Sequence, residues 1–235
     1  MNLKDKNIII TGGSLGIGKS TAFNLLNKGA NVLVTGRSID RLNKAFKGSQ
    51  VKTCEFDISD FNNLNNYAKE IVKIFNNRVD VLINNAGIGC RRSLEELNLK
   101  DFLDVFNVNV FGLSLFTKEI IPIMKTQKCG TIINIGSTAS LKGYKGGSIY
   151  ASSKFAVRCL TQCWQSELRP YNIRVCQVNP SEVTTAFGVK SRLERKAIYN
   201  KLTPQEISHA IVSAIEMDNR GFVNELNIWA TNPFD

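Results

Sequence analysis

Seven short runs rich in Ile and Val recur along this chain, and amphipathic stretches fill most of the gaps between them. No other feature narrows the fold as much. Ile/Val runs of this length read as strands buried on both faces, and such strands need helices above and below. The runs predict strands at 7–11, 31–35, 51–55, 80–84, 131–135, 173–178 and 224–228. The intervening periodicity predicts helices at about 16–28, 38–46, 60–76, 100–126, 149–169 and 204–217. Thr203-Pro204 opens the last of these, with proline in the first turn where its missing N–H costs nothing. The expectation is an α/β fold, a doubly wound seven-stranded parallel sheet in a single domain over 1–235. The segment 181–203 has the least pattern, and a mobile, substrate-covering stretch is expected there.

The first run leads into T-G-G-S-L-G-I-G-K-S at 11–20. Gly12, Gly16 and Gly18 permit a tight turn and bring backbone N–H groups against a phosphate at a helix start. The stretch fits two patterns. As G-x-x-x-G-x-G it is a variant dinucleotide loop; over 13–20 it also fits G-x-x-x-x-G-K-[ST], the loop of nucleotide triphosphatases, with Lys19 on the phosphates. A triphosphatase also needs an acid after an apolar strand to hold magnesium. The run V-D-V-L-I ends in Asn84-Asn85 instead, although Asp57 follows another run.

Further polar residues punctuate the strand ends. N-N-A-G at 84–87 combines small residues, which let a ligand lie close, with amides able to pin neighbouring strands. Asp57, before Ile58, can accept from an adenine amino group or cap a helix. Asn107 and Asn109 lie inside a long apolar helical pattern, where Asn is disfavoured; they hold a water or mark a kink. Pro180 sets a turn after the sixth run.

Tyr150 and Lys154 stand four apart, on one face of a predicted helix. An ammonium beside a phenol favours the phenolate and so makes the phenol a better acid. Ser137 follows the fifth run, at the strand end where open α/β sheets bind ligands. A hydroxyl there polarises a carbonyl that Tyr150 protonates. Alone, Tyr-x-x-x-Lys is also what a solvated helix face looks like; its weight comes from the other motifs.

Taken in order, these motifs resemble the short-chain dehydrogenase/reductase family in its compact form, over essentially the whole chain. The resemblance implies a Rossmann-type fold and an oxidoreductase that interconverts a carbonyl and an alcohol by hydride transfer. It makes Asn109, Ser137, Tyr150 and Lys154 the catalytic set. Tyr150 is then the proton donor, Lys154 lowers its pKa and holds the nicotinamide ribose, Ser137 binds the carbonyl oxygen, and Asn109 holds a water. The cofactor site falls on Gly12, Ser14, Leu15, Gly16, Ile17 and Gly18, with Asp57 and Ile58 at the adenine. Asn85, Ala86, Gly87, Tyr150, Lys154, Pro180, Val183 and Thr185 complete it. Pro180-Ser181 departs from the family's Pro-Gly.

Cofactor choice is read at the second strand's end. Gly36 stands where an NAD site carries an acid for the ribose hydroxyls, and Arg37 and Ser38 follow, which favours NADP(H) over NAD(H). Leu15 stands where many NADP-preferring relatives carry a second basic residue.

Composition limits the partners. Net charge is +10, yet no run of adjacent basic residues exceeds two, as at Arg91-Arg92, and no aromatic-interleaved basic stripe exists, so no nucleic acid is expected. The apolar runs are too short to predict a membrane span, and the start has no signal-peptide form. Six scattered Cys and the single His209 predict reduced thiols, no metal and a cytoplasmic location. Expected partners are a small carbonyl or alcohol substrate and a second copy in a homodimer or homotetramer. An acyl carrier protein is a further candidate, through Lys128, although Tyr171 replaces the second basic position. A catalytically silent dinucleotide sensor is the third reading, and the intact Asn-Ser-Tyr-Lys set argues against it.

Overall fold

The structure, a computed structural model, describes residues 1–188 and 191–233; within the predicted covering segment, 189 and 190 lie outside the described residues. Seven parallel strands form one sheet: β1 (Asn7–Ile10), β2 (Asn31–Gly36), β3 (Lys52–Glu55), β4 (Val81–Asn84), β5 (Gly130–Ile135), β6 (Ile173–Pro180) and β7 (Glu225–Ile228). Their order is β3-β2-β1-β4-β5-β6-β7. The order reverses between β1 and β4, whose register pairs Ile8 with Val81 and Ile10 with Ile83. At that switch point the loops leaving the two strands diverge and open a crevice at the carboxyl edge.

Alternation within each strand explains why both faces need cover. Ile8 and Ile10 join the core shared with Ala22, Leu25, Ile207 and Ile211, on helices α1 (Gly16–Asn27) and α7 (Pro204–Glu216). Ile9 and Leu33 point the other way, into a core with Ile71, Phe116, Ile120 and Leu168. These come from α3 (Leu64–Ile74), α5 (Leu113–Gln127) and α6 (Ser148–Leu168). Phe116 is fully buried and packs its ring 5.0 Å from that of Phe56. Burying a side chain of this size is worth about 1.5–3 kcal/mol. Helix α2 (Ile39–Ala45) covers the β2–β3 edge.

Two boundaries differ from expectation for identifiable reasons. The helix expected from 60 begins at Leu64, because Asp57 Oδ1 accepts from the backbone N–H of Ser59 (2.9 Å) and its hydroxyl (2.7 Å), holding a turn. The helix expected over 100–126 is three pieces: α4 (Leu99–Phe106), a π-helical turn over Asn107–Gly112, and α5. The polar pair Asn107 and Asn109 marks that turn, so the predicted kink is a local widening of the helix. No helix among the described residues is long and apolar enough to cross a membrane.

Candidate active site

A cavity of about 700 Å³ occupies the carboxyl edge of the sheet. The loop after β1 is its floor. Gly12 has φ +68, and a Cβ there would lie 2.6 Å from the Cα of Ala86, so only glycine lets the β1 and β4 loops touch. Thr11 Oγ1 accepts from the N–H groups of Asn85 and Ala86, both at 3.1 Å. Asn85 Nδ2 returns bonds to the carbonyls of Thr11 (3.1 Å) and Gly12 (2.7 Å). One strand further on, Asn84 Nδ2 ties β4 to Asn134 of β5 and Thr117 of α5, each at 2.9 Å. The N-N-A-G stretch therefore pins neighbouring elements, as its amides foretold, while Asn85, Ala86 and Gly87 line the cavity.

Helix α1 begins at Gly16 after Leu15, which offers no capping side chain. The free Gly16 N–H donates to Glu194 Oε1 at 2.7 Å, across 178 residues of chain. An anionic oxygen at an uncapped helix start is what a phosphate oxygen would present, so the cradle fits a diphosphate. The triphosphatase reading of 13–20 needs Lys19 on the phosphates, and Lys19 does not line the cavity. Gly18 lies within α1, and a Cβ on it would stand 2.7 Å from the Gly13 Cα and 2.6 Å from Asn85 Nδ2. The motif's last residues are thus a helix packed closely on a neighbouring loop.

Ser137 follows β5 and opens a short 3₁₀ turn over Thr138–Ser140. Its Oγ accepts from the Ala139 N–H at 3.1 Å. Its own N–H donates to Asn179 Oδ1 at 3.2 Å, which also receives Ser140 Oγ (2.9 Å) and Gln177 Nε2 (2.7 Å). Ser137 is therefore held from both sides by β6. Tyr150 and Lys154 sit one turn apart on α6, with the Lys154 Nζ 5.8 Å from the centre of the Tyr150 ring. The Tyr150 ring packs 5.7 Å from that of Phe187.

The titration behaviour differs from expectation. Burial pushes the Tyr150 phenol up to about 12, against a hydrogen bond with Ser137 that pulls it down, and the nearby Tyr144 adds to the rise. Burial likewise pushes Lys154 down to about 8. Lys154 Nζ donates to the Ile135 carbonyl at 2.7 Å. Lys154 still carries its proton at neutral pH, but the groups that shift Tyr150 are its burial, Ser137 and Tyr144. Two of the three Lys154 donors remain without a protein partner among the described residues.

Asn109 is buried behind the cavity. Its Oδ1 accepts from the Ile88 N–H and its Nδ2 donates to the Ile88 carbonyl, both at 2.9 Å, and to Ser153 Oγ at 3.1 Å. The amide fixes the β4 loop, and Asn109 Oδ1 keeps a second lone pair.

The other predicted residues fall as follows. Gly12, Ser14, Leu15, Gly16, Ile17, Arg37, Asp57, Ile58, Pro180, Val183 and Thr185 all line the cavity. Gly18 and Ser38 do not: Gly18 packs against Gly13 and Asn85, and the Ser38 side chain accepts from Arg41 N–H and caps α2. Sequence reasoning missed Arg41, Lys142, Tyr144, Phe187, Arg192 and Trp229, which also line it. Arg41, four residues after Arg37, had a visible spacing signal; Arg192 and Trp229 arrive by long-range folding and had none.

A family model described as short chain dehydrogenase matches residues 6–196. The chain is 31% identical over 228 residues to the NADP-dependent 3-hydroxy acid dehydrogenase of Schizosaccharomyces pombe, covering 91% of this chain and 88% of that protein. It is 31% identical over 226 residues to the 3-oxoacyl-acyl-carrier-protein reductase of Thermotoga maritima, covering 90% and 91%. Among solved structures, the alcohol dehydrogenase of Thermococcus sibiricus complexed with 5-hydroxy-NADP superimposes with a TM-score of 0.89, at 28% identity and 97% coverage of both chains.

Proposed function

The chain belongs to the short-chain dehydrogenase/reductase family, and from that premise we propose that it is an NADP(H)-dependent reductase of a small ketone or aldehyde. One observation carries the reading: Ser137, Tyr150 and Lys154 converge on a cavity whose floor is a glycine loop and an uncapped helix start. NADP-bound relatives of the same fold support the cofactor. The cofactor, when bound, supplies the hydride.

The protein's own residues do the rest. Ser137 donates its hydroxyl hydrogen to the substrate oxygen and stabilises the charge that grows there. Tyr150, protonated through the neutral range, gives its proton to the same oxygen. Lys154 would hold the nicotinamide ribose with its remaining donors, and its positive charge would favour the phenolate as Tyr150 ionises. Tyr144, Phe187 and Trp229 supply apolar walls that limit water in the substrate half.

Lys128 stands at the amino edge of the sheet, before β5, away from this chain's own cavity. A free small carbonyl is therefore preferred to an acyl carrier protein as substrate. The reading includes a homo-oligomer: Leu103, Phe111, Leu115 and Phe155 leave apolar surface along α4, the π turn, α5 and α6. The test is NADPH consumption over a panel of ketones, aldehydes and 3-oxoacyl thioesters. Magnesium-dependent ATP hydrolysis without any change in NADPH fluorescence would sink the reading.

Two expectations follow from the charges. Arg37 lines the adenosine end, where its guanidinium can hold a 2′-phosphate in paired hydrogen bonds. Preference for NADPH over NADH in kcat/KM is expected to be at least about tenfold, or roughly 1.4 kcal/mol. Arg37→Ala should erode it mainly through KM for NADPH; an Arg37→Ala enzyme with undiminished preference would exclude Arg37 as the reader.

The second expectation concerns pH. Lys154 is protonated below about 8 and loses its charge above it, whereas Tyr150 keeps its proton to about 12. The reductive kcat/KM, which reports the free enzyme, should be level at neutral pH and fall above about 8. A profile level from roughly pH 7 to pH 10 would contradict the assignment of Lys154 to that limb.

A further inference from the structure

Three guanidinium groups gather at the adenosine end of the cavity, and they come from distant parts of the chain. Arg37 follows β2, Arg41 lies on α2, and Arg192 belongs to the segment after β6; all three line the cavity, and Arg37 and Arg41 are close enough for their charges to act on Arg192. Among the described residues none of the three makes an ion pair, although ten other pairs are formed. The contrast with Arg195, on the same segment, is direct. Arg195 donates to the carbonyls of Val183 and Thr185, both at 2.9 Å, and lies 3.7 Å from Glu182. Arg195 is structural; Arg192 is uncommitted.

Like charges held together without an acid are unfavourable until an anion joins them. The cost is visible on Arg192 itself, whose ionisation burial disfavours first, and then the charges of Arg37 and Arg41. A guanidinium does not relieve such crowding by losing its proton; at these exposed positions water and salt screen part of it, and a bound anion would relieve more.

The same segment already meets the cofactor cradle at a second point. Glu194, two residues beyond Arg192, places its carboxylate on the Gly16 N–H. The segment thus lays an anion where a diphosphate would sit and a cation where a phosphate on the adenosine ribose would sit.

We propose that Arg192 is a third contact for the 2′-phosphate of NADP(H), with Arg37 and Arg41, so that the segment after β6 reads which cofactor is bound. The inference rests on the NADP(H) reading above. NAD(H) lacks the phosphate and leaves the three charges unrelieved, so Arg192 discriminates by what it lacks as well as by what it binds. Glu194 gives up Gly16 to the diphosphate of either cofactor, which makes its contribution indifferent to the phosphate.

The experiment measures equilibrium dissociation of NADPH, NADH and 2′,5′-ADP from the wild type, Arg192→Ala and Arg192→Lys, by fluorescence and calorimetry. Arg192→Ala should weaken NADPH and 2′,5′-ADP by about tenfold, roughly 1.4 kcal/mol, with NADH unchanged. Arg192→Lys should recover part of that loss, because a charge returns without the paired geometry. Unchanged NADPH affinity in Arg192→Ala overturns the proposal, and so does equal weakening of NADPH and NADH. Failure of the cofactor reading looks different: the wild type would then bind neither dinucleotide, or both alike, before any substitution is made.

Discussion

Tyr150→Phe is expected to lower reductive turnover by about 10²–10⁴-fold or more while NADPH still binds. The substitution removes one oxygen and keeps the ring. That ring packs against Phe187 at 5.7 Å, a contact that does not involve the hydroxyl. Lys154 keeps its bond to the Ile135 carbonyl, so the neighbouring ammonium is not released by the change. What disappears is a phenol that holds its proton to about 12 and meets Ser137 by a hydrogen bond. In reduction the substrate oxygen must acquire a proton as charge builds on it, and of the described carboxylates lining the cavity Asp57 is engaged by Ser59 and Glu182 by Lys201. The lone His209 lies on α7, outside the cavity lining. The loss should therefore appear in kcat, with the NADPH dissociation constant within a small factor of wild type. Turnover within about threefold of wild type would remove Tyr150 from the donor's role.

Much of this arrangement was legible because it depends on short-range pattern. Ile8, Ile9 and Ile10 announce a strand buried on both faces, and they divide between the two cores as that reading requires. Thr203 and Pro204 announce a helix start, and Thr203 forms a capping box with Glu206. Ser137, Tyr150 and Lys154 were placed by strand end and helix spacing, and both rules held.

Other features depend on partners that sequence distance conceals. Ser38 looked like a phosphate ligand beside Arg37, yet a hydroxyl before a helix is also a cap, and the α2 backbone claims it. The partner of Asn109 in the protein is the Ile88 backbone, 21 residues away, which spacing alone does not reveal. The depressed Lys154 could not be foreseen, because spacing gives the face a residue occupies and not the depth of its burial. Arg192 and Glu194 reach the cofactor cradle from a segment with no periodicity to place it.

Ser137→Ala is expected to reduce kcat by about 10²-fold, the loss typical when one donor to a developing oxyanion is removed. The geometry gives the hydroxyl a definite direction. Ser137 Oγ already accepts from Ala139 N–H at 3.1 Å, so one lone pair is occupied and the hydrogen is left to donate elsewhere. The Ser137 backbone is held by Asn179 Oδ1 at 3.2 Å, within a group that includes Ser140 and Gln177, so the alanine variant keeps its place. Alanine also removes the cap of the 3₁₀ turn over Thr138–Ser140, which costs about 1 kcal/mol of stability. The two effects separate cleanly. A residue that only capped the turn would lower the melting temperature and leave kcat near wild type. A donor to the substrate oxygen would lower kcat at temperatures where both proteins are fully folded. Ser137→Thr supplies the control, since it returns a hydroxyl to the same Cβ and should restore a large part of kcat. If Ser137→Ala turns over within about threefold of wild type, or if threonine restores stability without restoring kcat, the oxyanion is stabilised by another group.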